Sequence, residues 1–219
     1  ERLSRALRSG GFYAAQVSGT VDGRPVSEAA ALDAIQARPE AETVPIAVNV
    51  ETGPRFKITE IAIRPPGTLT SLPAIDRDKL GIAIGDPADA SAILAAQDKL
   101  LTELRNQGFA LAAVQKREVV IDHATNDAEV TFIVETGPTA RMGPVRFSGT
   151  EKVDTTFLQR RVPFTAGEPY TPAKVDLLRG KLTSLGVFNS VRIGPATALD
   201  PNGQLPIDVE LTDRPQRSF

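Results

Sequence analysis

In three stretches of this chain every second residue is apolar. In "PIAVNVETGP", Ile46, Val48 and Val50 fall on one side, and Ala47, Asn49 and Glu51 on the other. "EVTFIVETGP" sets Val130, Phe132 and Val134 against Thr131, Ile133 and Glu135. "PIDVELTDRP" sets Ile207, Val209 and Leu211 against Asp208, Glu210 and Thr212. Period-two alternation predicts a strand with one buried face. All nine apolar residues are therefore expected in a core, each contributing about 1.5–3 kcal/mol. The pentapeptide "VETGP" is written twice, 84 residues apart, and the third copy follows after another 77. With a shared Pro54, Pro138 and Pro215, the three stretches form an internal repeat.

A second anchor precedes each of these strands. "LRSGGFYAAQV" from Leu7, "LRNQGFALAAV" from Leu104 and "LTSLGVFNSV" from Leu182 each place a Gly and then an apolar residue after a helical pattern. Gly11, Gly108 and Gly186 are expected just past a helix end. There a positive φ costs glycine nothing, and the next side chain can fold back on the last turn. The preceding helices are amphipathic. Ile93, Leu94, Leu100, Leu101 and Leu104 lie near one stripe, and Val175, Leu178 and Leu182 follow i, i+3, i+7. "GDP" (Gly85 to Pro87) and "GEP" (Gly167 to Pro169) mark turns before them. Further upstream lie a shorter helical stretch, at Asp76 to Leu80 and Asp154 to Arg161, and a strand, "KITEIAIR" and "RMGPVRF". The apolar spacing in those strands is three then two, which predicts a bulge or bend at Glu60 and Pro144.

Each complete unit therefore reads strand, helix, helix, strand, strand. The expected boundaries are 1–54, 55–138 and 139–215, with 216–219 left over as a linker. The first unit lacks the opening strand and helix, and an insertion over 22–43 joins its two strands. Ser27 is expected to cap a short Ala-rich helix within that insertion. "VETGP" closes one unit and turns directly into the next. The joint is expected to be short and stiff, with Gly53, Pro54, Gly137 and Pro138 in structural roles.

Composition narrows the function classes. The chain has 219 residues, 41% hydrophobic and 24% charged, with a formal net charge of −2. That balance gives no general pull toward nucleic acid. Cysteine is absent, which excludes disulfides, thiolate metal sites and cysteine nucleophiles, and fits a periplasmic or extracellular setting. No apolar run approaches the roughly 20 residues of a membrane helix. The chain opens inside a helical pattern, "ERLSRALRSGG", and reads as part of something longer.

On these residues the chain resembles a run of POTRA (polypeptide-transport-associated) modules. The third unit is similar to the membrane-proximal POTRA of TamA-like outer-membrane assembly proteins. The similarity lies in Phe147 to Gly149, "VPF" at Val162 to Phe164, "GEPY" at Gly167 to Tyr170, and "FNSV" at Phe188 to Val191. The ending "TDRPQRSF" looks like a junction to a first barrel strand. The resemblance implies an α+β fold of tandem β-α-α-β-β modules, each a three-stranded mixed sheet covered by two helices. It implies a periplasmic location on an outer-membrane protein. The implied partners are unfolded outer-membrane substrates, a TamB-like periplasm-spanning protein and the protein's own barrel, which lies outside these 219 residues. The alternatives are the POTRA region of a BamA-type or two-partner-secretion transporter, and a structural surface repeat.

No enzyme chemistry stands out, and no cofactor or metal is expected. His123, the one histidine, sits among turn-formers in "IDHATNDAEV", with nothing around it to build a nucleophilic site. "DRDKLG" begins like a calcium loop but has Leu80 where an oxygen ligand is needed. "GIAIG" lacks the context of a dinucleotide fingerprint. Arg2, Arg5 and Arg8 read as the wet face of a helix. The resemblance also places the strand after each helix-ending Gly at a sheet edge, where an extended chain can add. The candidate partner-binding residues are Tyr13, Ala15, Val17 and Gly19 in the first unit. In the third they are Phe188, Ser190, Val191, Arg192 and Ile193. The middle edge carries Lys116, Arg117 and Glu118 and is expected to be guarded against pairing.

Overall fold

The alternating and helical periods resolve into discrete elements in a computed structural model that describes residues 1–26, 43–67 and 71–214. In chain order these are α1 (Arg2–Ser9), β1 (Gln16–Val21), β2 (Arg24–Pro25), β3 (Ile46–Glu51), β4 (Lys57–Arg64), a 3-10 turn (Arg77–Leu80), α2 (Ala90–Asn106), β5 (Ala113–Asp122), β6 (Asp127–Glu135), β7 (Arg141–Ser148), α3 (Thr155–Gln159), α4 (Pro172–Thr183), β8 (Phe188–Pro195) and β9 (Gln204–Asp213). They build three sheets of three strands, ordered β2-β1-β3, β4-β6-β5 and β7-β9-β8. The fold is α+β. By its contacts the chain forms two compact units, one of 1–63, 80–97 and 117–132, the other of 64–79, 98–116 and 133 onward. Most of the 22–43 insertion, Ser27 included, and Pro215 with the 216–219 linker lie outside the described residues.

The third sheet shows the repeat complete. β7 runs parallel to β9, and β8 runs antiparallel to it, so the sheet is mixed. Ile207, Val209 and Leu211 of β9 are buried in one cluster with Met142 and Val145 of β7, Leu158 of α3, and Val175, Leu178 and Leu182 of α4. The spacing that predicted a bend at Pro144 corresponds to a register shift between Met142 and Val145. Gly143 sits inside that bulge. A Cβ there would lie 2.5 Å from the carbonyl carbon and oxygen of Leu205. The stretch expected to be helical from Asp154 forms α3, and Asp154 caps it by accepting the Thr156 and Phe157 amides. Its counterpart at Asp76 to Leu80 is only the 3-10 turn.

The expectation for β3 is corrected. Val130, Phe132 and Val134 are buried like their β9 equivalents, but Ile46, Val48 and Val50 are 69%, 57% and 37% exposed. The reason is local. Alternation marks a face fit for burial, and burial needs a cover. α1 buries none of its own residues. The first sheet is antiparallel throughout and has no strand beyond β3 among the described residues.

The helix ends repeat in detail. After α1, the Phe12 amide donates to Leu7 O at 3.0 Å and the Gly11 amide to Arg8 O at 3.1 Å. After α2, Phe109 donates to Leu104 O and Gly108 to Arg105 O, each at 3.0 Å. This pair of bonds needs a left-handed residue at the Gly, and φ is +87° at Gly11 and +96° at Gly108. Gly186, Gly53 and Gly137 also have positive φ.

The freed carbonyl of each Gly then receives the chain that follows "VETGP". The Phe56 amide donates to Gly11 O at 2.9 Å, Ala88 to Phe56 O at 2.9 Å, and Ile58 to Asp86 O at 2.8 Å. In the other unit, Ala140 donates to Gly108 O at 2.9 Å, Tyr170 to Ala140 O at 3.2 Å, and Met142 to Glu168 O at 2.7 Å. Each joint takes one tyrosine ring, but from opposite sides. In the first, Tyr13 stands against Phe56 edge-to-face at 5.4 Å and donates its hydroxyl to Ala88 O at 3.1 Å. In the second, the equivalent of Tyr13 is Ala110 and the equivalent of Ala88 is Tyr170, and both are buried. His123 packs edge-to-face on Phe56 at 5.3 Å, so the lone histidine is a packing element of the first joint. Arg55 completes it, donating from Nε to Gly10 O at 2.9 Å and lying 3.7 Å from the Asp89 carboxylate. Hydrogen bonds from Ser91 and Ala92, then the Arg55 charge, hold the Asp89 carboxyl below its ordinary range.

Two outcomes follow for urea denaturation. Gly143→Ala forces a side chain onto backbone and is expected to cost at least about 2 kcal/mol. Gly108→Ala meets nothing within 4 Å and pays only for its φ, about 1 kcal/mol. Equal costs would contradict the close approach of β7 to β9. In the first joint, Tyr13→Ala is expected to cost about 1–2 kcal/mol. Adding Ala88→Tyr, the arrangement of the second joint, should recover at least about 0.5 kcal/mol of that loss. Strictly additive losses would show that the two positions do not share one seat.

Candidate functional site

β8 is the outer strand of its sheet, and its free edge is defined by which backbone groups its partner has taken. The Ala196 amide donates to Pro206 O at 2.8 Å on the β9 side. Backbone groups alternate along a strand, and the register is unbroken from Ser190 to Pro195. Residues 190, 192 and 194 therefore turn their amides and carbonyls to β9, and Val191 and Ile193 turn theirs outward. The outward carbonyl of Ile193 accepts from Arg179 Nη2 at 3.2 Å. Among the described residues no strand pairs with this edge.

The side chains of β8 separate into two roles. Arg192 lies 3.6 Å from Glu210 across the strand pair, and Ser190 Oγ is 3.2 Å from Thr212 Oγ1, so both tie β8 to β9. Phe188 is buried, and Val191 and Ile193 pack half-buried against the core. Beside the strand lies a cleft of 340 Å³ lined by Arg105, Tyr170, Val175, Asp176, Arg179 and Ile193. Its lining mixes apolar side chains with charges of both signs, Arg105 and Arg179 against Asp176. Burial, opposed by Arg105 and reinforced by Asp176, raises the Tyr170 phenol above its ordinary value, so it stays protonated. The cleft was not legible from strand alternation, because it joins residues far apart in the chain.

The other two expected edges differ from this one. β1 begins at Gln16, so Tyr13 and Ala15 precede the strand, and Tyr13 belongs to the joint. β2 pairs with Thr20 and Val21, and the Val26 amide donates to Gly19 O at 3.0 Å. The expected open edge through Gly19 is corrected on that account. The chain doubles back as a short hairpin and occupies its far end, leaving Gln16 to Ser18, with Val17 at their centre. β5 is the outer strand of the middle sheet, and Arg117 is held there by Gln97 Oε1 at 2.7 Å. Lys116 and Glu118 also have partners. No group of three or more His, Asp or Glu side chains able to hold a metal occurs among the described residues.

Comparison with known proteins gives this architecture its place. The family model described as POTRA, surface antigen variable number repeat, matches residues 70–137 and 140–213, more than half of the chain. The fold is similar to that of Haemophilus influenzae BamA POTRA3-5, with a TM-score of 0.60 and 17% identity over 97% of this chain and 81% of that one. It is also similar to BamA from Haemophilus ducreyi lacking POTRA domains 1-3, with a TM-score of 0.55 and 17% identity over 73% of this chain and 30% of that one. At such identity the likeness is one of fold. No curated protein matches the sequence significantly. The two family matches fall on the stretches where the strand, helix and joint pattern repeats, and the chain belongs to the POTRA family.

Proposed function

We propose that this chain is the periplasmic POTRA region of an outer-membrane protein that assembles or transports other proteins. In this reading it is a non-catalytic binding array that receives extended chains by strand addition. The observation that carries the proposal is the free edge of β8. Val191 and Ile193 turn their backbone groups outward beside a cleft lined by both apolar and charged side chains. Main-chain hydrogen bonds would supply affinity with little demand on sequence, and the cleft would accept alternate side chains of the added strand. That combination suits substrates that share strand-forming character and little else. The finer assignment, to a TamA-like protein with unfolded outer-membrane chains and a TamB-like protein as partners, rests on "VPF", "GEPY" and "FNSV" in the third unit. The remaining edge of β1 around Val17 is a second, shorter place for a dedicated partner strand. β5, with Lys116, Arg117 and Glu118 in succession, is the guarded one.

Proline removes a donor and fixes φ, so its effect depends on which way the amide points. Val191→Pro is expected to leave the fold intact by circular dichroism and to weaken binding of barrel-strand peptides at least tenfold. Ser190→Pro should instead disrupt the β8–β9 pairing. If Val191→Pro and Ile193→Pro both fold and both bind like the parent, strand addition at β8 is wrong.

A further inference from the structure

The free edge of β8 is narrower than its length suggests. The alternation that turns Val191 and Ile193 outward also turns Pro195 outward, and proline carries no amide hydrogen. The outward carbonyl of Ile193 is already engaged by Arg179, which reaches over from α4 and donates from Nη2 at 3.2 Å. The other end of the same guanidinium is anchored, with Nη1 2.5 Å from the Asp176 carboxylate one helical turn earlier. Among the described residues, what stays open between Arg179 and the strand start is the amide and carbonyl of Val191 and the amide of Ile193.

We infer that Arg179 is a specificity-determining guard of this edge, which yields Ile193 O to an extended segment carrying Asp or Glu opposite Ile193. The inference rests on strand addition at β8 and adds which strands are taken. Residues directly opposite one another in a strand pair carry their side chains on the same face. Ile193 packs against the core and lines the cleft together with Arg179 and Asp176. The residue of an added strand opposite Ile193 therefore sets its side chain on the Arg179 side. A neutral strand meets a carbonyl that is already bonded, and it gives Arg179 nothing in exchange. A carboxylate reverses that balance. The bond from Nη2 to Ile193 O lies at the long end of the N–H···O range, and an ionised acceptor makes a shorter and stronger bond than a peptide carbonyl does. Nη2 passes to the incoming carboxylate while Nη1 keeps Asp176, because the planar guanidinium donates from both ends. Ile193 O is then released to the amide of the added strand. Charge favours the same occupant. In the cleft Arg105 and Arg179 face a single carboxylate, Asp176, and among the described residues Arg105 has no ion-pair partner.

The test uses two extended peptides of alternating Val and Thr that differ only at one central position, Glu in one and Gln in the other. The alternating sequence lets that position slide into register with Ile193. Their affinities are measured by calorimetry on the parent chain and on Arg179→Met, which keeps an aliphatic stem on α4 and loses every donor. The parent is expected to bind the Glu peptide about fivefold more tightly than the Gln peptide. Arg179→Met should bind the Gln peptide about threefold more tightly than the parent does, because the carbonyl is open. Its preference for Glu should vanish, because Arg105 and Asp176 then balance. Arg179→Ala should repeat both changes, which separates them from any effect of the new side chain. Equal binding of the two peptides by the parent overturns the inference. So does a Gln peptide that binds Arg179→Met no better than the parent, the result expected of an arginine that only supports the strand. Val191→Pro separates the guard from the reading beneath it. If Val191→Pro weakens both peptides while the Arg179 variants change nothing, the guard alone is wrong. If Val191→Pro binds both like the parent, strand addition is wrong and the guard falls with it.

Discussion

The structure depends on one hydrogen bond made twice: the carbonyl of a helix-ending glycine accepting the amide that opens the next strand. Gly11 and Gly108 leave the right-handed helix because no other residue adopts that φ without strain. The turn that results closes the helix end on itself and aims one carbonyl at the incoming chain. Phe56 and Ala140 then start a short ladder to the segment before the long helix. The "GP" of "VETGP" is the approach to that bond. A repeated pentapeptide at the end of one unit is thus a requirement of the beginning of the next.

The seat beside that bond is conserved as a volume rather than as a residue. Tyr13 with Ala88, and Tyr170 with Ala110, place one large ring and one small side chain in exchanged positions. Burial raises both phenols above their ordinary value, so each ring remains neutral where it packs. Tyr13 also contributes a hydroxyl to a backbone carbonyl, which leaves its polar end satisfied. The exchange makes Tyr170 part of the lining of the cleft beside β8, so one residue serves both the joint and the surface proposed to receive a partner.

Much of this was legible in the chain. Alternation located β3, β6 and β9, the Gly-apolar pairs located the ends of α1, α2 and α4, and uneven spacing located the bend at Pro144. What escaped were properties that need a partner to be known. Alternation shows which face of β3 is apolar and says nothing of whether anything covers it, so Ile46, Val48 and Val50 were placed in a core they do not have. Tyr13 sits in a run that looks like the start of a strand, and its packing on Phe56 crosses more than forty residues. The turn at Gly23 folds β2 back on β1, and β2 is only two residues long, Arg24 and Pro25, too short to show a period. The need for glycine at 143 comes from Leu205, in a strand a whole hairpin away.

Strand addition at β8 is the central claim, and it has a direct spectroscopic signature. The most telling measurement is the set of intermolecular nuclear Overhauser effects between labelled protein and an extended barrel-strand peptide. The account predicts cross-strand contacts from the peptide backbone to Val191 and Ile193, with shift changes confined to β8, α4 and the cleft around Tyr170. A peptide that binds with no backbone contact to β8, and shifts residues on the outer faces of the helices instead, would contradict it.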